Sequence, residues 1–323
     1  MNTLILRGIA LLMLLCCTLS TQSLAQNYPA KPVRVIVPFA TGSASDVIGR
    51  MIADRLTAAL GQPFLVENRA GAGGTIGSEL VARAPADGYT LLVTTAAFPI
   101  GATAVRDLKY DTASFASITV LTHSPLGFAA NPNFAPKTVP EFIAYAKAHP
   151  GKVNFGSLGV ATSHHVTGEK FKIDAGIDMV HVPYKGSGGA HADLMGGQIQ
   201  VMFDNLVSLL PHFKSGKMHP LAVTSLKRHR LLPDVPSLSE AGVRDFEAVA
   251  WFGYVAPPGT PREIVNKLNA EIVKILATPE VRQRLTDGGS EVIGNSPEAA
   301  DRFLKSEIAR WGAVIRKANI VAE

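Results

Sequence analysis

The segment Pro38-Phe39-Ala40-Thr41-Gly42-Ser43-Ala44-Ser45-Asp46 follows an apolar run, Val33 to Val37, and precedes a stretch of helical periodicity. Its small and hydroxyl side chains leave backbone N–H groups accessible at a helix N-terminus, where unpaired donors and the positive end of the macrodipole attract an anion. Gly156-Ser157-Leu158-Gly159-Val160-Ala161-Thr162-Ser163 repeats that design in the second half of the chain. One such loop often does no more than cap its helix. Two in corresponding places, facing each other across a cleft, would hold the two ends of a dianion.

Few cations accompany these loops. Arg50 lies one turn beyond Asp46, where an i,i+4 ion pair is its plainest role, and Lys185 follows Tyr184 as a possible solvated strand end. Binding would then rest on N–H groups, hydroxyls and water, with each hydrogen bond to a charged group contributing roughly 1.5–3 kcal/mol. Asp46 would repel a carboxylate, so its oxygens are expected to accept from a water, a ligand donor or nearby backbone N–H groups. His165, beside the second loop, could hydrogen-bond a ligand or serve helix packing.

Other chemistry finds no support. Gly71, Gly73, Gly74 and Gly77 open a helical stretch, but the third glycine of a G-x-G-x-x-G fingerprint would fall on Ile76, so no dinucleotide cofactor is expected. His164, His165, His181 and His191 lack metal-ligand spacing such as H-E-x-x-H, and no metal is expected. There is no G-x-S-x-G elbow, and neither Ser157 nor Ser187 has a base that the sequence identifies. Lys214-Ser215-Gly216-Lys217-Met218 lacks the leading glycine and the Ser/Thr of a P-loop. The chain is read as a binder, without cofactor, rather than an enzyme.

The elements that must position these loops alternate strand-like and helical runs, the pattern of parallel sheets with covering helices. Strands are expected at Val33 to Val37, Phe64 to Glu67, Thr90 to Thr95, Val153 to Gly156, Met179 to Val182, Ile199 to Phe203, Leu221 to Thr224 and Trp251 to Ala256. Helices are expected from Asp46 to Leu60, from Ile76 to Arg83, after the Thr138/Glu141 capping box, and from the second loop to Ile173. Thr260-Pro261 and Ser296-Pro297 announce two more, each with an N-cap and an N1 proline.

With 323 residues, 47% hydrophobic and 18% charged, the chain is globular rather than disordered or coiled-coil. Its formal charge of +5 is scattered without a Lys/Arg run, so no nucleic-acid partner is expected. Arg7, the apolar run from Gly8 to Leu19 and the small residues Ser23 and Ala25 read as a secretory leader over residues 1–25. That run is shorter than the ~20 residues needed to span a bilayer. Both cysteines, Cys16 and Cys17, lie within it, so the exported chain has no disulfide. A periplasmic protein is expected.

Nearly end to end beyond the leader, the chain resembles the Bug/TctC family, the extracytoplasmic solute receptors of tripartite tricarboxylate transporters. The resemblance is carried by Tyr28-Pro29-Ala30-Lys31-Pro32-Val33-Arg34, the Pro38 to Asp46 loop, Val66-Glu67-Asn68-Arg69-Ala70-Gly71-Ala72-Gly73-Gly74, Asp87-Gly88-Tyr89-Thr90-Leu91-Leu92, Val182-Pro183-Tyr184-Lys185-Gly186 and Trp251-Phe252-Gly253. It implies a type II periplasmic binding protein fold, α/β, with lobe 1 over 26–124 plus 250–323, lobe 2 over 125–249, and a ligand cleft between them. It implies a monomer that binds a carboxylate through main-chain groups and ordered waters and delivers it to membrane permease subunits. Carried residue by residue, the first lobe offers Phe39, Gly42, Ala44, Ser45 and Asp46. The second offers Ser157, Gly159, Thr162 and His165, with Tyr184 and Asp204 closing the cleft. Thr41-Gly42-Ser43 stands where the family usually has Pro then Gly-Gly, and Ser187-Gly188-Gly189 where a proline is common. The added hydroxyls, Thr41 and Ser43, and the lost prolines argue against a plain aspartate, glutamate or citrate ligand. Since some family members resemble receptors for aromatic acids, the resemblance implies a longer or aromatic dicarboxylate such as terephthalate. A ligand-sensing partner of a membrane kinase and an exported enzyme on the same fold are the competing readings.

Overall fold

The computed structural model describes residues 28–322, so the expected leader lies outside the described residues. β1 (Val33–Val37) is buried along nearly its whole length, as a strand inside a parallel sheet must be. α1 (Ala44–Leu60) begins where the Ser43 side chain accepts the Asp46 N–H. It ends at Gly61, whose φ of 70° is a conformation glycine adopts without strain. Ile48, Met51, Ile52 and Leu56 recur along one face and are buried against β1, each contributing roughly 1.5–3 kcal/mol. β2 (Phe64–Asn68), α2 (Thr75–Ala82), β3 (Thr90–Thr95) and α3 (Ala97–Ala104) continue the alternation. β1 lies between β2 and β3, parallel to both, with Val35 opposite Val66 and Leu91.

β4 (Ala116–Ala130) then runs 15 residues, in a region where no strand is expected from the sequence. Pro125 and Gly127 in its middle read as breakers. After it come α4 (Val139–Ala148), with the Thr138/Glu141 capping box formed, β5 (Asn154–Ser157), α5 (Ser163–Ala175), β6 (Val180–Pro183) and α6 (Ser187–Met195). β7 (Val201–Asn205), α7 (Leu206–Lys214) and β8 (His219–Val223) complete a second sheet, in which β5 lies parallel to β6 and β7. β9 (Val249–Ala256) returns to the first sheet. α8 (Arg262–Ala277), α9 (Pro279–Asp287), β10 (Glu291–Val292) and α10 (Pro297–Lys317) close the chain. Ser296 caps α10 as expected, whereas α8 starts at Arg262 without a side-chain cap because the Thr260 hydroxyl donates to the Pro257 carbonyl instead.

β4 joins the two sheets. Ala116 to Pro125 pair antiparallel with β9, and Leu126 to Ala130 pair with β7 and β8, so Pro125 sits where the strand changes partners. The buried Thr224 clasps the outgoing and returning chains there. Its hydroxyl accepts the Leu126 N–H at 2.8 Å and lies 2.5 Å from the Ala248 carbonyl, while the Ala248 N–H donates to Thr224 O at 3.0 Å. In the second sheet Phe128 stacks on Phe203 with centroids 4.5 Å apart. A Cβ at Gly168 would lie 2.2 Å from the Phe155 ring, so α5 can lie on β5 only with glycine there. Trp311 and Ile315 of α10 enter the same core as Phe128 and Phe203, beside Ile100 and Ala104 of α3.

Candidate functional site

The loops after β1, β3, β5 and β7 each lead into a helix N-terminus, and Ala44, Ala97, Ser163 and Asn205 from these starts line one cavity of about 1070 Å³. First-turn N–H groups have no partner within their own helix. In α1 the Asp46 N–H is taken by Ser43 Oγ, and in α5 the His165 N–H by Thr162 Oγ1, both at 3.3 Å. The N–H groups of Ala44 and Ser45, and of Ser163 and His164, therefore remain the donors for whatever occupies the cavity. No Asp or Glu lines it among the described residues, and Lys185 is its one Lys or Arg.

The first loop is tied from behind by charge. Asp46, 2% exposed, accepts the Gly42 N–H at 2.9 Å and the Asn68 amide at 2.8 Å, and pairs with Arg50 at 3.0 Å. Burial alone would raise its pKa; the hydrogen bonds from Arg50, Gly42 and Asn68 outweigh that and hold it below the usual carboxylate range. The Asn68 amide also donates to Phe39 O, and Thr41 Oγ1 lies 3.1 Å from Asn68 Oδ1. The Arg50–Asp46 pair is the i,i+4 pair that the spacing suggests. Asp46 takes one backbone N–H, from Gly42, one of the roles its charge leaves open.

The second loop is held by uncharged rings. Ser157, fully buried, places Oγ 2.6 Å from His181 Nε2 and 3.0 Å from Gly159 O, and accepts the Gly159 N–H at 3.2 Å. His165 stacks on His181 with centroids 3.6 Å apart, and its Nδ1 accepts the Ala161 N–H at 3.1 Å. Burial, then the neighbouring His181 and Lys172, pushes His165 down to about 3; burial, then Lys172, pushes His181 down to about 4. Both rings are neutral near pH 7. Gly159 adopts φ 125°, which a side chain would strain, and its carbonyl accepts from the Thr162 hydroxyl at 2.8 Å.

Beneath the second loop, Asp204 at the end of β7 has no exposed surface. Its Oδ2 lies 2.8 Å from His191 Nε2, and its Oδ1 lies 3.4 Å from His164 Nε2 and accepts the Asn205 N–H at 2.7 Å. Burial works against the charge, but the two imidazoles and that N–H outweigh it, so the carboxyl stays ionised. Tyr184 donates to Asp193 at 2.7 Å, and burial, then that contact, raises it to about 12.

Of the residues expected at the site, Phe39, Ser43, Ala44, Ser45 and Thr162 line the cavity. The others do not line it: Thr41 and Gly42 are exposed within the first loop and Asp46 is buried beneath it, Ser157 and Gly159 belong to the second loop with His165 packed against it, Tyr184 faces Asp193, and Asp204 lies under His164. The lining also includes Ser163, His164, Thr95, Trp251, Phe252 and Val321, which sequence reasoning did not place there. Ser163 and His164 were within reach of the capping rule, being the first two residues after the Thr162 cap. Trp251 carries no local signal; its indole donates to Glu307 at 3.1 Å, as the Trp311 indole does at 3.0 Å. Among the described residues no cluster of His, Cys, Asp or Glu could hold a metal ion, and no helix is long and apolar enough to cross a membrane.

Two α/β sheets joined at β4 and β9, with helix N-termini of both turned to one cavity, define a two-lobed receptor of the type II periplasmic binding protein class. Residues 48–320 match the family described as the tripartite tricarboxylate transporter family receptor, and the chain belongs to that family. A protein from R. palustris solved with adipate is 35% identical with a TM-score of 0.79, covering 91% of this chain and 99% of its own. The periplasmic binding protein BugD is 34% identical at a TM-score of 0.76, covering 92% and 100%. MatC from Rhodopseudomonas palustris with bound malate is also 34% identical at 0.76, covering 89% and 100%. The family is one of periplasmic solute receptors.

Proposed function

We propose that the protein captures a dicarboxylate between its two lobes and delivers it, as a monomer, to the membrane subunits of a tripartite tricarboxylate transporter. The observation that carries this reading is the pair of helix N-termini, α1 with Ala44 and Ser45 and α5 with Ser163 and His164, on one cavity without acidic lining. Each would take one carboxylate. Phe39, Leu158, Trp251 and Phe252 supply an apolar middle, which suits a six-carbon or aromatic body such as terephthalate. The adipate and malate of the solved relatives support the diacid class. In this reading the lobes are 26–124 plus 250–323 and 125–249, hinged at β4 and at the entry to β9, and residues 1–25 are a leader removed on export.

The bound acid leaves unchanged. Ser157 and His181 are the nearest thing to a nucleophile and base, at 2.6 Å, but neither lines the cavity. A thermal-shift panel of carboxylic acids tests the reading. A diacid at about 100 times its Kd should stabilise the fold by roughly 2.7 kcal/mol and be recovered intact. A panel with no stabilising acid, or an altered product, overturns it.

A further inference from the structure

We propose that Glu307, on α10 and outside the cavity, is a positioning residue for capture: through Trp251 and Arg310 it fixes the entry to β9 in the cavity wall, and so sets which lengths of diacid the cavity accepts. The inference rests on the diacid reading above and deepens it. Ala250, Trp251 and Phe252 are consecutive residues of that entry, and all three line the cavity. The backbone ladder holds them from one side. Val249, Ala250 and Trp251 pair with Pro125, Ser124 and His123 of β4, while the pairs with β3 on the other edge begin at Phe252. The wall is therefore a one-sided ladder beside the point where β4 changes partners, and a stretch with so few backbone bonds opens readily unless side chains tie it down.

Glu307 supplies the tie. Glu307, Arg310 and Trp311 recur at i, i+3 and i+4 on one face of α10. Oε2 of Glu307 accepts the Trp251 indole N–H at 3.1 Å and the Trp311 indole N–H at 3.0 Å. Its Oε1 pairs with Arg310 at 2.5 Å, and Arg310 donates to the Glu247 carbonyl, just ahead of β9, at 3.0 Å. The entry to β9 is thus held twice, by its backbone before the strand and by a side chain within it. Trp311 sits in the core of the second sheet with Phe128 and Phe203, whereas Trp251 sits with Ile36, Leu92 and Leu304 in that of the first. The shared oxygen registers the wall against both.

Stability alone does not account for this arrangement. Glu307 is 3% exposed, and a buried ion pair is often no more stabilising than well-packed apolar residues of similar volume. What the carboxyl adds is geometry, since its two oxygens accept from several donors at once and hold them in fixed directions. A longer or ringed diacid has more body to lay along the wall than a short one. Displacing the wall should therefore change affinity according to ligand length, not by one factor for every acid.

Titration of succinate, adipate, suberate and terephthalate into the unmodified protein, Glu307→Leu and Glu307→Gln tests the assignment. In Glu307→Leu, affinity for the longest acid bound should fall about tenfold relative to the shortest, because an indole N–H left without its acceptor shifts to find another. Glu307→Gln keeps an acceptor for the indoles and should retain at least part of the preference. Should the leucine variant fail to fold, Trp251→Phe, which keeps an aromatic ring but removes the N–H that Glu307 holds, carries the same expectation. The chain has only two tryptophans, so Trp311→Phe leaves Trp251 as its single indole emitter. Its emission should shift with bound acid along the same saturation curve as the heat of binding. Affinities that fall by one common factor or not at all, a glutamine variant worse than the leucine one, or Trp251 emission blind to bound acid overturns the proposal and leaves the receptor reading intact. If none of these acids binds the unmodified protein, the dicarboxylate reading falls, and this one with it.

Discussion

The two loops present the same backbone chemistry to the cavity but are secured in opposite ways. The first hangs on an ionised network, Asp46 with Arg50, Asn68 and the Gly42 N–H, whose outer member Arg50 is 45% exposed. The second is wedged by neutral groups, buried Ser157 against half-buried His181 and His181 against buried His165. A loop that must present N–H groups to an anion thus has two routes to rigidity. One uses a carboxylate turned away from the ligand, the other imidazoles kept uncharged by burial. The routes differ in what should disturb them.

The largest effect is expected for Asp46→Ala, which strands three donors at once. Losing the hydrogen bonds that its buried carboxylate accepts costs about 3 kcal/mol, and urea unfolding should show it together with at least a tenfold loss of diacid affinity. A loss below about 1 kcal/mol would mean that the network is ornamental. Ser157→Ala comes next: it leaves His181 Nε2 and the Gly159 N–H without their oxygen, for about 1–3 kcal/mol. Thr162→Ala removes the α5 cap and should cost about 1 kcal/mol, with Thr162→Ser restoring it. Arg50→Ala is the smallest, under about 1 kcal/mol, because its guanidinium is largely in solvent.

pH separates the loops further. The depressed pKa of Asp46 contributes stability that is complete above the unfolded value near pH 4 and is lost as pH falls through the lower folded value. His165 and His181 are depressed as well, but for an imidazole that means the unfolded chain takes the protons first. Their contribution is complete above about pH 6.5 and erodes as pH falls toward their folded values of about 3 and about 4. NMR should find both rings neutral at pH 5.5 in the folded protein, within the range that the cited shifts define. Charged imidazoles at that pH would contradict the wedge.

The helices after both loops were legible from their apolar periodicity, but α1 starts at Ala44, two residues before the expected Asp46, because the Ser43 side chain accepts the Asp46 N–H and caps it. The strand–helix alternation was legible too, and it gives the parallel strands β1 to β3 and β5 to β7, although both sheets also carry antiparallel pairs through β4 and β9. β4 was not, since Pro125 and Gly127 read as breakers until the change of sheet partner explains them. Nor could sequence order bring His191 to Asp204, a contact that needs α6 packed on β7, or Trp251 and Val321 to the same cavity, which needs the chain to return to the first sheet. The resemblance offered Asp204, Ser157 and His165 toward the ligand; none of the three lines the cavity, and each contacts a residue or loop that does.

The central claim, that backbone donors of two helix N-termini hold the two carboxylates, is tested most directly by amide NMR during titration with a bound diacid. The account predicts that the N–H resonances of Ala44, Ser45, Ser163 and His164 move downfield together along one saturation curve. A titration that saturates while these four amides stay in place, and the Lys185 side chain alone responds, would contradict it.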